Sequence, residues 1–178
     1  MQTIEVTSNI FRFHIPEYNK IKPFILKEIE NTTSRSSYVK GEESISNTDW
    51  YTSTEVPRTY MNILKPYLDE FLEELSNEVY QVNKGHPLVL DNFWFQQYKK
   101  GDFHTWHHHG ECNYSSIYFV ELPSNTATQF QSFKGVTFKV PVQEGDYIIF
   151  PSSLLHQSAP NPLRERKTVI PINLNATY

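Results

Sequence analysis

Gly101–Glu111, GDFHTWHHHGE, holds four of the chain's seven histidines within six residues: His104, His107, His108 and His109. An apolar, aromatic run, DNFWFQQY (91–98), precedes it and SSIYFVEL (115–122) follows; both read as strands. Side chains on a strand alternate between faces, so His107, His109 and Glu111 fall on one face and Trp106, His108 and Gly110 on the other. Two imidazoles at i and i+2 can grip one metal ion. A third ligand has to come from far along the chain, and His156, in GDYIIFPSSLLHQSAPNP (145–162), is the candidate. His104 has the parity of His108, opposite to His107, so neither is expected to be a ligand.

From residue 87 onward the chain reads as short strands separated by Gly, Pro and Asn turns: 88–98, 103–109, 115–122, 127–132, 136–141, 146–150 and 167–174. Gly135 marks a hairpin turn within FKGVTFKV. Before residue 87 the pattern is helical. Ile21, Phe24, Ile25 and Ile29 predict a first helix within 16–29, and Met61, Leu64, Leu68, Phe71, Leu72, Leu75 and Val79 a second over 57–80. Pro66 is expected to kink or split the second helix. Residues 3–14 alternate loosely enough for an early strand, and the polar, Ser/Thr-rich stretch 31–47 reads as a loop. The class is α+β, mainly β: helices first, then a β-sandwich or barrel, with the helices packed outside one sheet.

At 178 residues the chain is read as one domain (1–178), a helical support region (1–86) followed by a β core (87–178). A net charge of −4 supplies no global basic field, so nucleic-acid binding by bulk electrostatics is not indicated. The single cysteine, Cys112, excludes an intramolecular disulfide and favours a reducing compartment, the cytoplasm. The opening MQTIEVTSNIFRF lacks a signal-peptide pattern, and no run of 18 apolar residues predicts a membrane span.

Two ligand frames compete. His107, His109 and His156 form an all-histidine set; His109, Glu111 and His156 form the two-His, one-carboxylate set of non-haem iron oxygenases. Spacing alone leaves both open.

The order W-F-x-x-Y-x-x-G-D-F (94–103), H-x-H (107–109), S-S-I-Y-F-V-E-L-P (115–123), G-D-Y-I-I-F-P-S-x-L-x-H (145–156), then P-N and a basic residue on the final strand resembles the 2-oxoglutarate/iron(II)-dependent oxygenases. It is similar in particular to small oxygenases of phages and bacteria that are related to prolyl hydroxylases and carry H-x-H. Ser46, Asn47 and Trp50 add to the likeness, which spans about residues 10–173. Gly101, six residues before His107, favours the His107 frame, while Gly110 stands where the narrower group has proline.

The resemblance implies a double-stranded β-helix (jelly roll) with supporting helices. It also implies Fe(II), O2 and 2-oxoglutarate as co-substrate, with His107, His109 and His156 as ligands and Glu111 the alternative to His109. The co-substrate's distal carboxylate would meet Lys167, with Arg166 the alternative; Tyr98 and Ser115 would join that pocket, as would Ile117 and Phe119. Trp94, Trp106, Tyr118 and Phe119 would shield it. The implied activity is hydroxylation of an unidentified prime substrate, with peptidyl proline or another protein side chain the leading analogy. A homodimer, and a phage protein acting in the host cytoplasm, follow from the same likeness. Two other classes remain: a cupin-like three-His metalloenzyme without 2-oxoglutarate, and a catalytically silent metal-binding module.

Overall fold

The computed structural model describes residues 8–79 and 87–177. Twelve strands and two helices are found there, in the order β1 (Phe11–His14), α1 (Tyr18–Asn31), β2 (Arg35–Val39), β3 (Glu43–Thr48), α2 (Tyr60–Val79), β4 (Leu88–Phe93), β5 (Gln96–Tyr98), β6 (Phe103–His107), β7 (Tyr114–Glu121), β8 (Gln129–Gln131), β9 (Thr137–Lys139), β10 (Asp146–Pro151), β11 (His156–Ser158) and β12 (Lys167–Ala176). All pairings are antiparallel, in one curled sheet of order β1-β10-β7-β12-β5-β3-β6-β11-β8-β9, with β4 also on β12 and β2 on β3. This is the jelly-roll arrangement expected.

Strand alternation divides the interior into two layers. Tyr118, Val120, Tyr147, Ile149, Ile170, Ile172 and Leu174 face the helices and pack on Ile25, Ile29, Leu64, Leu68, Leu72 and Leu75. The neighbouring positions Ile117, Phe119, Ile148, Phe150 and Val169 turn the other way. They meet Ile45 and Phe130 across the sheet, with Tyr98 between them. Lys167, Val169, Pro171 and Asn173 share this inner parity on β12, so the last strand aims a cation and an amide into the roll.

Three expectations are corrected. Residues 31–47 are not a loop; they carry β2 and most of β3. Polar residues conceal them, since β2 buries only Ser37 and β3 only Ile45 and Thr48. Pro66 does not split α2, which runs through it from Tyr60 to Val79, because the buried leucines at helical spacing hold both halves on the sheet. The strand at 103–109 ends at His107. Of the early strand, residues 11–14 form β1, while residues 1–7 and the end of the second helix at Tyr80 lie outside the described residues. None of the described helices is long and apolar enough to cross a membrane.

A buried polar knot fastens the helical side to the roll. The Asp49 carboxylate accepts hydrogen bonds from the Phe95 amide and the Tyr60 hydroxyl, both at 2.8 Å, and pairs with Arg58 Nε at 3.1 Å. Burial raises the Asp49 pKa against the pull of these partners.

Candidate metal centre and its cavity

The cavity is built by β6 and β11 lying side by side, with His107 directly opposite His156. His107 Nδ1 lies 2.7 Å from the Thr105 carbonyl and His156 Nδ1 2.9 Å from that of Leu154. A carbonyl can only accept, so each Nδ1 carries the proton and each Nε2 keeps its lone pair for a metal. His109 lies beyond the end of β6. Its amide donates to the Ser152 carbonyl at 3.0 Å, and its ring stacks on Trp94 with centroids 6.0 Å apart. That anchoring brings His109 back beside His107 without strand geometry.

One ligand atom from each of His107, His109 and His156 lies within 4.8 Å of the others. Burial lowers all three pKa values, His109 to about 4. Neutral imidazoles free of proton competition are what a divalent first-row ion takes, so the donor set fits iron(II) or zinc. Glu111 is exposed on the outer rim and stands outside this group. His104 is also outside it. Its ring stacks on His107 at 3.9 Å and its Nε2 lies 3.6 Å from the Glu43 carboxylate.

Behind the histidines runs a narrow pocket of about 40 Å³, lined by Tyr98, Ser115, Ile117, Ser158 and Lys167 among others. Lys167 is 1% exposed. Its ammonium donates to Ser158 Oγ at 3.0 Å and lies 5.4 Å from the Tyr98 ring centre. It has no carboxylate partner among the described residues. Burial, with Lys139 nearby, lowers its pKa to about 7. Arg166 points elsewhere and holds Glu121 through two bonds of 2.8 and 3.2 Å. The Tyr98 hydroxyl donates to Gln96 at 2.7 Å, and burial raises its pKa.

Of the remaining residues expected to line or shield the pocket, Trp94 does so, whereas Tyr118 packs under the helices and Phe119 lies in the inner core. Trp106 lines neither this pocket nor the outer cleft. Sequence reading missed Gln96, Thr128 and Ser158. Gln96 and Ser158 had a usable signal, each two residues from a residue already singled out, Tyr98 and His156.

No family model and no curated protein matches the sequence. Solved structures do. A Pseudomonas putida prolyl-4-hydroxylase superposes with a TM-score of 0.65 at 11% identity, covering 95% of this chain and 94% of that one. A Trichoplax adhaerens prolyl hydroxylase, solved with a hypoxia-inducible-factor peptide, gives 0.68 at 9%, covering 93% and 83%. The chain has the 2-oxoglutarate/iron(II) oxygenase fold. Other structures of this fold serve different chemistry: the α-ketoglutarate-dependent epimerase SnoN of nogalamycin biosynthesis matches at 0.65 and 13% identity, covering 94% and 79%. In the oxygenase fold of this chain, the three histidines stand together at the cavity mouth and the buried lysine behind them.

Proposed function

We propose that this protein is an Fe(II)- and 2-oxoglutarate-dependent dioxygenase that hydroxylates an organic substrate. The observation that carries the reading is Lys167, a buried amine with no carboxylate partner among the described residues, in the same pocket as three histidines poised as ligands. A buried ammonium is costly unless a counter-charge arrives, and a carboxylate supplies one.

His107, His109 and His156 would hold iron, which when bound supplies the activation of oxygen. Lys167, with Ser158 beside it, would receive the distal carboxylate of 2-oxoglutarate; Tyr98 and Ser115 complete the walls of that pocket. In the overall reaction 2-oxoglutarate loses carbon dioxide and becomes succinate. One atom of O2 enters the succinate and the other the substrate C–H bond. The aromatic wall at Trp94 and Phe150 keeps the pocket dry.

A second reading is favoured by one feature, the absence of a carboxylate from the donor set: a three-His metalloenzyme working without 2-oxoglutarate. Anaerobic addition of iron(II) and then 2-oxoglutarate to metal-free protein separates the two. A weak visible charge-transfer band, lost in Lys167→Met and in His156→Ala, is the expected result. Iron binding with no band overturns the dioxygenase reading in favour of the second.

A further inference from the structure

Metal and co-substrate leave an outer cleft of about 460 Å³ unexplained. It opens over His107 and His109, and among the described residues its wall carries the carboxylates of Glu43 and Glu111, the indoles of Trp50 and Trp94, and no lysine or arginine. Glu43 accepts from the hydroxyls of Ser37 and Tyr51, and the imidazoles of His104 and His107 lie within reach of its charge. Trp50 packs edge-on against Trp94, centroids 4.3 Å apart, and remains 44% exposed.

One atom on this wall is orphaned. Trp94 is 4% exposed, yet its Nε1 makes no hydrogen bond among the described residues. Buried polar groups in folded proteins are almost always paired, so an unmade donor in this cleft points to a ligand that completes it.

We propose that this cleft takes a cationic side chain, the ammonium of a lysine or the guanidinium of an arginine, presented on a peptide. Glu43 and Glu111 supply the counter-charge and the exposed Trp50 indole a surface for cation–π contact. Trp94 Nε1 donates to a peptide carbonyl. A proline ring brings no such charge. Naming this side chain the prime substrate rests on the dioxygenase reading; the binding preference does not.

The test is titration of the full-length protein, followed by tryptophan fluorescence and calorimetry, with blocked pentapeptides Gly-Ala-X-Ala-Gly. X is Lys, Arg, norleucine or Pro, and free L-lysine is the fifth probe. The cationic peptides are expected to bind about tenfold tighter than the norleucine and proline peptides, the scale of an exposed ion pair to Glu111, a weaker one to Glu43 and a cation–π contact. The preference should shrink with added salt, about threefold in Glu111→Gln, and again in Trp50→Ala. Both variants alter partly exposed side chains on the rim, and their fold is checked by thermal melting. Equal binding of neutral and cationic peptides, or no binding of either cationic peptide, overturns the proposal. Free L-lysine binding as tightly as its peptide overturns the peptide as carrier. The anaerobic band contains no peptide, so its failure removes the dioxygenase reading while a cationic preference stands, and the converse result removes this proposal alone.

Discussion

His107 and His156 face each other across one rung of the β6–β11 ladder, their ring centroids 4.3 Å apart and each Nδ1 tied to the carbonyl two residues before it. Backbone pairing therefore sets the spacing of these two imidazoles before any metal arrives. Alanine at His107, His109 or His156 is expected to weaken Zn(II) or Fe(II) binding by at least about 100-fold, beyond what the loss of a supporting partner costs. Glu111→Ala should change it less than about threefold. Competition against a chromogenic chelator checks both.

Lowered histidine pKa values carry a pH signature. Free histidines lose metal as pH falls through about 6.5. Here burial depresses all three, His109 to about 4, so metal should stay bound well below pH 6. Release that already begins near pH 6.5 in a chelator-free pH titration would contradict the buried, neutral triad.

Lys167 makes two further predictions. Its pKa is about 7 in the folded chain and near 10.5 unfolded, so between those values the unfolded chain holds the extra proton and stability rises with pH. Relative to Lys167→Met, the wild type should gain about 1.4 kcal/mol per pH unit across that window and nothing below pH 7. Urea unfolding of both proteins at pH 6, 7, 8 and 9 measures this.

For the same reason, binding a carboxylate above pH 7 requires proton uptake by Lys167. The Kd for 2-oxoglutarate should weaken by about tenfold per pH unit above 7 and level off below it. Arg166→Ala, which breaks a partly exposed pair with Glu121, should leave that Kd nearly unchanged. A pH-independent Kd, or one abolished by Arg166→Ala, would reassign the anchor.

The Asp49–Arg58 pair is buried on both sides, with Asp49 fully inaccessible. Asp49→Ala strands the Arg58 charge and removes acceptors from Tyr60 and the Phe95 amide, a loss expected to cost about 3–5 kcal/mol. Denaturant midpoints at constant slope check the magnitude.

The sequence made the three-histidine set legible because apolar runs mark the strands around it, Phe93 to Phe95 ahead of His107 and Tyr147 to Phe150 ahead of His156. It left His109 against Glu111 undecided, since parity treats them alike. The strand's end at His107 and the Ser152 carbonyl bring His109 beside His107 and leave Glu111 exposed on the rim, and those are tertiary facts. Lys167 against Arg166 was likewise left as a choice of parity; the pairing of β12 with β5 and β7 turns Lys167 into the pocket, while Arg166 holds Glu121. β2 and β3 escaped notice because their polar side chains mask the extended backbone. The outer cleft stayed hidden with them, since Glu43 and Thr48 stand on β3.

Strand β11 is three residues long, and its first and last residues do different work: His156 faces the metal side and Ser158 holds the Lys167 ammonium. Alternate residues on so short a strand cannot move independently. Opening of the β6–β11 or β11–β8 rungs would disturb the three-histidine group and the hydroxyl that holds Lys167 in one event. Amide exchange at Gln157 and Ser158 would thus be a single reporter for occupancy of both halves of the cavity, slowing in steps as each is filled.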